Sequence, residues 1–303
     1  MLERQWLLEY PGVSFAWGGR DPVNNPFRLP RGVFNSAAPA WGEAAVTTED
    51  ADRPRDDGVL FGQDWRGGMT ATFELGMAGT TEMHARQLQA EAQRAWRGDS
   101  IRGVPGAVAA LTTQVGGQLR TVYGRPRKFT PGPVVPQTCR ASATATFDCV
   151  TDVWYGPEQT VRIDLPTAPA GGGLTFPFTW PAVFAGSAEA GGGVTVAGTL
   201  PSPVVAELYG PISNPALRMT GLWTLPLTTS IPAGQMVTLD SRPWRQTILR
   251  GDGASLAGFL SRTARLSTAV MPPGSYEAAL IGSDPTGTAY ALVRWQNAYA
   301  GLS

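Results

Sequence analysis

Across 303 residues the chain carries 24 basic and 24 acidic side chains, one histidine and two cysteines, while 37 glycines and 26 prolines make up about a fifth of it. Average proteins hold ~12% Gly plus Pro and ~25% charged residues, so a chain with 16% charged residues is rich in turns and poor in charge, which predicts β structure over helix. Charge balances to zero in each half, with 16 basic and 16 acidic groups in 1–156 and 8 of each in 157–303, so no basic field exists to hold nucleic acid as the primary ligand.

In chain order, Trp6, Leu8 and Tyr10 alternate with Leu7 and Glu9 and predict an opening strand. Residues 18–58 follow, rich in Pro, Gly, Asn and Asp with isolated aromatics Phe27, Phe34 and Trp41. Structureless segments of this length inside a domain are uncommon and often functional. The readings are an arm that reaches a neighbour or a flexible surface loop. Met69, Ala71, Phe73, Leu75 and Met77 then alternate with Thr70, Thr72, Glu74 and Gly76, a strand with one face in the core.

The period changes at 81–97, where Ala85, Leu88, Ala92, Ala95 and Trp96 form an apolar stripe of helical spacing. Thr80 or Thr81 can cap its start and Gly98 closes its end, making it the one helix the sequence predicts. Strands are expected at 107–115, 118–124 and 138–150, with Gly116-Gly117 as the hairpin turn between the first two. The intervening GRPRKFTPGPVVPQ carries Arg125, Arg127 and Lys128, the strongest local basic cluster, read as a solvated loop or a subunit contact. Within 138–150, Cys139 and Cys149 share one face of the alternation. At ~3.3 Å per residue their sulfurs lie ~30 Å apart, too far to bridge, so two buried free thiols are expected.

From Trp154 to Pro181 the chain turns charge-poor and rich in Pro, Gly and Ala, which sets a boundary between domains 1–156 and 157–303. Beyond it, Leu174, Phe176, Phe178 and Trp180 predict a strand, then Val194 and Val196, then 203–209, 217–225, 236–240, 244–250, 266–271, 275–282 and 288–296. Short strands at this spacing indicate a sandwich or barrel. Gly210–Pro215 reads as a structural turn, Gly permitting positive φ and Asn214 an Asx turn.

Catalysis finds little support. His84, the sole histidine, sits in the first turn of the predicted helix with no nucleophile elbow or H-x-x-x-H partner, and P-loop and G-x-G-x-x-G signatures are missing, so no metal or cofactor is expected. The eight acidic residues of 157–303 are scattered without the local pairing that would suggest a glycosidase. No apolar run reaches the ~20 residues of a bilayer-crossing helix, and Met1-Leu2-Glu3-Arg4-Gln5 does not open a secretory signal. A carbohydrate-binding module is the competing reading, because Trp180, Trp223, Trp244 and Trp295 could stack on sugars. Of these, Trp244 beside Pro243 and Arg245 is the candidate glycan contact.

The order of short motifs carries a resemblance. A strand leads into Gly210-Pro-Ile-Ser-Asn-Pro215, followed by Ile231-Pro-Ala-Gly234, a strand ending at Asp240, Met271-Pro-Pro-Gly274, and a terminal strand with Trp295 before Tyr299. Earlier stand Asp57-Gly58-Val59, Gly62-Gln-Asp64 with Arg66, the helix with Trp96, and Tyr123-Gly124-Arg125-Pro126. In this order the chain resembles the siphophage distal tail (Dit-like minor tail) proteins over most of 55–156 and 200–300, but not over 18–54 or 157–200.

The resemblance implies a mainly β protein with two β-sandwich-like domains, the first with one helix and a long arm, the second galectin-like. It implies no enzyme, but a virion protein assembled in the host cytoplasm and forming a hexameric ring at the tail tip. Its expected partners are itself, the tail tube protein above, the hub or tail-associated protein below, and the tape measure protein. Candidate subunit contacts are Phe27, Trp41, Trp65, Arg66, Arg125, Arg127 and Lys128.

Overall fold

The computed structural model describes residues 5–18, 32–55, 57–166 and 191–302, which form two compact units: 1–157 with the terminal 299–303, and 158–298. Phe27 and the strand expected at 174–180 lie outside the described residues.

The first unit opens with the hairpin β1 (Gln5–Tyr10) and β2 (Val13–Gly18), then the short strands β3 (Gly32–Asn35), β4 (Ala40–Trp41), β5 (Val46–Thr47), β6 (Ala51–Asp52), β7 (Val59–Leu60) and β8 (Trp65–Arg66). Strand β9 (Thr70–Ala78) precedes helix α1 (Glu82–Trp96) and the single turn α2 (Asp99–Arg102), a second helix the sequence pattern was too short to reveal. Then come β10 (Ala109–Val115), β11 (Gln118–Val135), β12 (Arg140–Cys149) and β13 (Trp154–Asp164), whose covalent course leads into the second unit.

Two antiparallel layers share β11. Its first part pairs with β10 in the order β2-β1-β10-β11, and its second part pairs with β12, which pairs with β9, itself joined by β3 and β4. The hairpin between β10 and β11 turns on Gly116 and Gly117 with φ of 58° and 76°, both in the region that favours glycine. Alternation puts Trp6, Leu8, Trp17, Leu111 and Val122 inward from one layer and Ala71, Phe73, Leu75, Ala143, Ala145 and Phe147 from the other. Their meeting is aromatic: Phe73 stands edge-on to Trp6, Trp17 and Trp96 at 5.2, 5.5 and 6.1 Å between ring centres.

Helix α1 starts where Thr81 Oγ1 accepts the His84 N–H at 3.1 Å, and it buries Ala85, Ala92, Ala95 and Trp96. Polar groups fix its seat: Trp96 Nε1 donates to Thr146 O at 2.8 Å, Tyr10 donates its hydroxyl to Ala95 O at 2.8 Å, and Gln89 donates to the carbonyls of Gly132 and Ser142.

The segment 125–137 corrects an expectation. It is strand, not loop: β11 runs on through it, with Arg125 opposite Asp148 and Val135 opposite Arg140, and with register irregularities at 126–129 and 131–134. Pro126, Pro131 and Pro133 cannot donate to a ladder, which hides the strand from pattern reading. Cys139 is a second correction. Pro136 starts a 3-10 turn that ends at Cys139 with φ of 52°, so this thiol is only half-buried and lies outside β12. Both thiols are free, and Cys149 is the buried one, its pKa pushed up to about 12 first by burial and then by Asp148.

The second unit consists of β14 (Gly192–Val196), β15 (Ser202–Tyr209), β16 (Ile212–Met219), β17 (Trp223–Pro226), β18 (Ser230–Ile231), β19 (Met236–Asp240), β20 (Thr247–Arg250), β21 (Val270–Met271), β22 (Gly274–Ser283) and β23 (Tyr290–Tyr299). One sheet runs β13-β23-β15-β19-β20 with β21 on β15, and the other runs β14-β22-β16-β17 with β18 on β16. Val204, Ala206, Leu208, Val237, Leu239, Ala291, Val293 and Trp295 of the first meet Val194, Val196, Leu217, Met219, Leu225, Ala278 and Leu280 of the second in one core.

Three strand expectations change here. Residues 217–225 are a hairpin, β16 turning at 220–222 into β17; 244–250 begin as a turn before β20; and 266–271 are a 3-10 turn followed by the two residues of β21. Gly210–Pro215 leads into β16 with a bulge at 213–216, and Asn214, not Gly210, adopts positive φ at 48°. Gly210 is needed for closeness instead: a Cβ there would stand 2.3 Å from the carbonyl oxygens of both Ile231 and Pro232.

Candidate functional site

The segment 45–66, expected as an irregular arm as far as 58, is a two-stranded ribbon. Val46 and Thr47 pair with Arg66 and Trp65, and Ala51 and Asp52 pair with Leu60 and Val59. Between these pairs, Asp50 Oδ1 accepts the Gly62 N–H at 3.0 Å, and a Cβ on Gly62 would lie 2.0 Å from Glu49 O, so only glycine lets the limbs cross here. The tip closes with Arg53 N–H to Gly58 O at 3.2 Å, where Gly58 has φ of 106°. The root is held by Gly67 N–H to Ala45 O at 2.7 Å and Gly42 N–H to Thr70 O at 2.8 Å.

Every described residue from 45 to 68 is exposed, including Phe61 at 90%, Leu60 at 53%, Val46 at 52% and Trp65 at 45%. Each limb of about ten residues at ~3.3 Å per residue reaches roughly 30 Å. A lone two-stranded ribbon is marginal in water, and clustered exposed apolar side chains mark an interaction surface. Phe61 and Leu60 escaped the sequence reading. The run Val59-Leu60-Phe61 between Gly58 and Gly62 was the available signal, but an apolar triplet reads equally well as core.

The basic residues of β11 divide by role. Arg125 points its guanidinium at backbone, donating to Ala107 O at 2.7 Å, Val104 O at 2.6 Å and Arg102 O at 3.4 Å, and so it ties α2 and the following turn to the strand. Arg127 and Lys128 are exposed. Arg127 donates to Asp148 at 3.1 Å, whose other oxygen accepts the Thr70 hydroxyl at 3.0 Å beside the ribbon root. Around α2, Arg97 and Arg102 both pair with Asp99, at 3.0 and 3.3 Å. Together with Val104, 52% exposed and held at its carbonyl by Arg125, these residues make a basic shoulder that carries one exposed apolar side chain.

Trp65 and Arg66 lie on the ribbon, Arg66 paired with Asp152 at 3.2 Å. Trp41 does not join them: it is half-buried, with its ring 4.7 Å from Trp154 and 5.8 Å from Trp6. His84 is half-buried and accepts the Thr80 N–H at 3.2 Å, a local cap contact. In the second unit Trp223 donates to Val270 O, Trp295 is buried and donates to Thr195 O, and Trp244 lies half-buried with the Arg242 guanidinium 5.8 Å above its ring. They occupy separate elements. Among the described residues no group of three or more His, Cys, Asp or Glu is placed to hold a metal, and no helix is long and apolar enough to cross a membrane.

No protein-family model and no curated sequence matches the chain. Solved structures do. The Dit protein (gp 19.1) of phage SPP1, described as a paradigm of the hub adsorption apparatus in phages infecting Gram-positive hosts, aligns at TM-score 0.53 and 12% identity over 97% of this chain and 98% of its own. A chain of the phage P2 baseplate in its activated conformation with Ca aligns at 0.56 and 15% identity, covering 98% of each chain. The same baseplate with Sr gives 0.54 and 14% identity over 96% and 97%. The sequence resemblance and these end-to-end alignments agree on one architecture, and the chain has the mainly β, Dit-like fold of phage distal tail and baseplate proteins.

Proposed function

We propose that this chain is a structural, non-catalytic virion protein that forms a hexameric ring at the distal tip of a siphophage tail, where it joins the tail tube to the tail-tip hub. Copies of itself, the tube protein above, the hub or tail-associated protein below and the tape measure protein are its partners, and it assembles in the host cytoplasm. The observation that carries this reading is the two-way coverage: both units, and nearly the whole of each neighbour, enter the alignments. A shared single domain would not support a shared place in an assembly, whereas matched domain content in matched order does.

The surface supports the same reading. A closed ring requires each copy to present two different patches that meet head to tail, and the first unit carries both a projecting ribbon and a separate basic shoulder. Light scattering on the purified chain is the test. A mass of about six times 32.1 kDa is expected, and a strict monomer at every concentration would overturn self-assembly.

A further inference from the structure

The zero net charge of the first half conceals a segregation. Residues 43–66 hold seven acidic and three basic groups, a net of −4, while the rest of 1–156 holds nine acidic and thirteen basic, a net of +4. Within the ribbon, Glu43, Glu49, Asp50, Asp52 and Asp64 make no ion pair with any described residue. On the body, the shoulder gathers Arg97, Arg102, Arg125, Arg127 and Lys128, whose ion-pair partners among the described residues are Asp99 and Asp148. Each surface also carries exposed apolar side chains: Phe61 and Leu60 on the ribbon, Val104 on the shoulder.

Resting on the ring reading above, we infer that the acidic ribbon of one copy seats on the basic shoulder of the next copy, Leu60 and Phe61 packing over Val104 while Glu49, Asp52 and Asp64 meet Arg102, Arg127 and Lys128. A second copy is the occupant because the two halves of the match are present once each per chain and are opposite in charge, net −4 on residues 43–66 and net +3 over the five basic and two acidic residues of the shoulder. The ribbon's own body does not cover it, since every described residue from 45 to 68 is exposed. The apolar pair supplies buried area, and the charges around it select the partner surface and its orientation more than they add affinity. Because exposed charges are screened beyond ~8 Å at physiological salt, the pairing acts only at contact, which fixes register within the ring.

Charge reversal in the full chain tests this. Glu49→Arg, Asp52→Arg and Asp64→Arg together should lower the association constant, read by light scattering at ~0.1 M salt, by about tenfold or more. Arg102→Glu, Arg127→Glu and Lys128→Glu together should do the same. All six changes in one chain should restore assembly to within about threefold of the original, a result that misfolding cannot mimic. A mixture of the two triple variants should recover assembly, as rings in which the two alternate, because each variant's ribbon is complementary only to the other variant's shoulder; a mixture that assembles no better than either variant alone would overturn the seating. If the unaltered chain forms rings and both triple variants form them equally well, the seating is wrong and the ring reading stands. If the unaltered chain never associates, the ring reading falls and the seating with it.

Discussion

The two units treat charge in opposite ways. In the second, Arg162 pairs with Asp164, Arg242 with Asp240, Arg250 with Asp252 and Arg294 with Glu207, so half of its eight basic residues are neutralised by partners two residues away or on the adjacent strand. In the first, five acidic residues of the ribbon have no such partner among the described residues, and the opposite charge collects on a separate shoulder. Short local pairs of this kind contribute little to stability, so the contrast is about solubility and recognition. A unit whose charges are paired internally offers neighbours little to read. The first unit also pairs Arg66, Arg86, Arg97, Arg102 and Arg127 with nearby carboxylates, and the contrast lies in its ribbon, whose acidic residues are left available to a neighbour.

Packing gives the sharpest way to break that comparison, because the cores of both units should be equally intolerant while only the first unit has a region that tolerates change. Phe73→Ala removes a ring that is 0% exposed and touches four other aromatics, and it should cost about 4 kcal/mol in urea unfolding. Leu208→Ala, equally buried in the second core, should cost about 3 kcal/mol. By contrast, Phe61→Ser on the ribbon should change the stability of the isolated subunit by less than about 0.5 kcal/mol while weakening its association. If Phe61→Ser destabilised the subunit as Leu208→Ala does, the ribbon would be part of the fold and not a surface awaiting a partner. Gly62→Ala refines the point: hydrogen exchange should rise across 45–66 with the unfolding midpoint unchanged, because the clash with Glu49 O is confined to the ribbon.

How far the sequence reading reached follows from what each region's residues can signal. Strict alternation in β9, β12 and β23 and the helical stripe of α1 were legible because burial on one face imposes the period directly. The end of β11 was not legible, since three prolines and a basic cluster are loop signals, and only pairing with β12 across two register irregularities overrides them. The ribbon was half legible. Its turn residues announced an arm, but the ordering of 45–66 into paired limbs depends on cross-limb contacts such as Asp50 to Gly62, which no local pattern encodes. The shoulder is assembled from α2, the turn after it and β11, distant in sequence, so the charge of Arg127 and Lys128 was visible and their company was not.

The smallest effect concerns acid. Burial opposes ionisation of Asp284, yet the Thr286 hydroxyl and the N–H groups of Thr286, Thr288 and Ala289 outweigh it and hold its pKa at about 2, in the loop between β22 and β23. Hydrogen bonds from Arg250 and from the Ala254 N–H, with the Arg250 charge, likewise hold Asp252 at about 2. A carboxylate depressed on folding binds fewer protons in the folded state, so its contribution is complete above the unfolded value of ~4 and lost as pH falls through 2. Acid unfolding of the second unit should therefore steepen between pH 4 and 2, and Asp284→Asn, which cannot titrate, should flatten that window while leaving the slope above pH 5 unchanged.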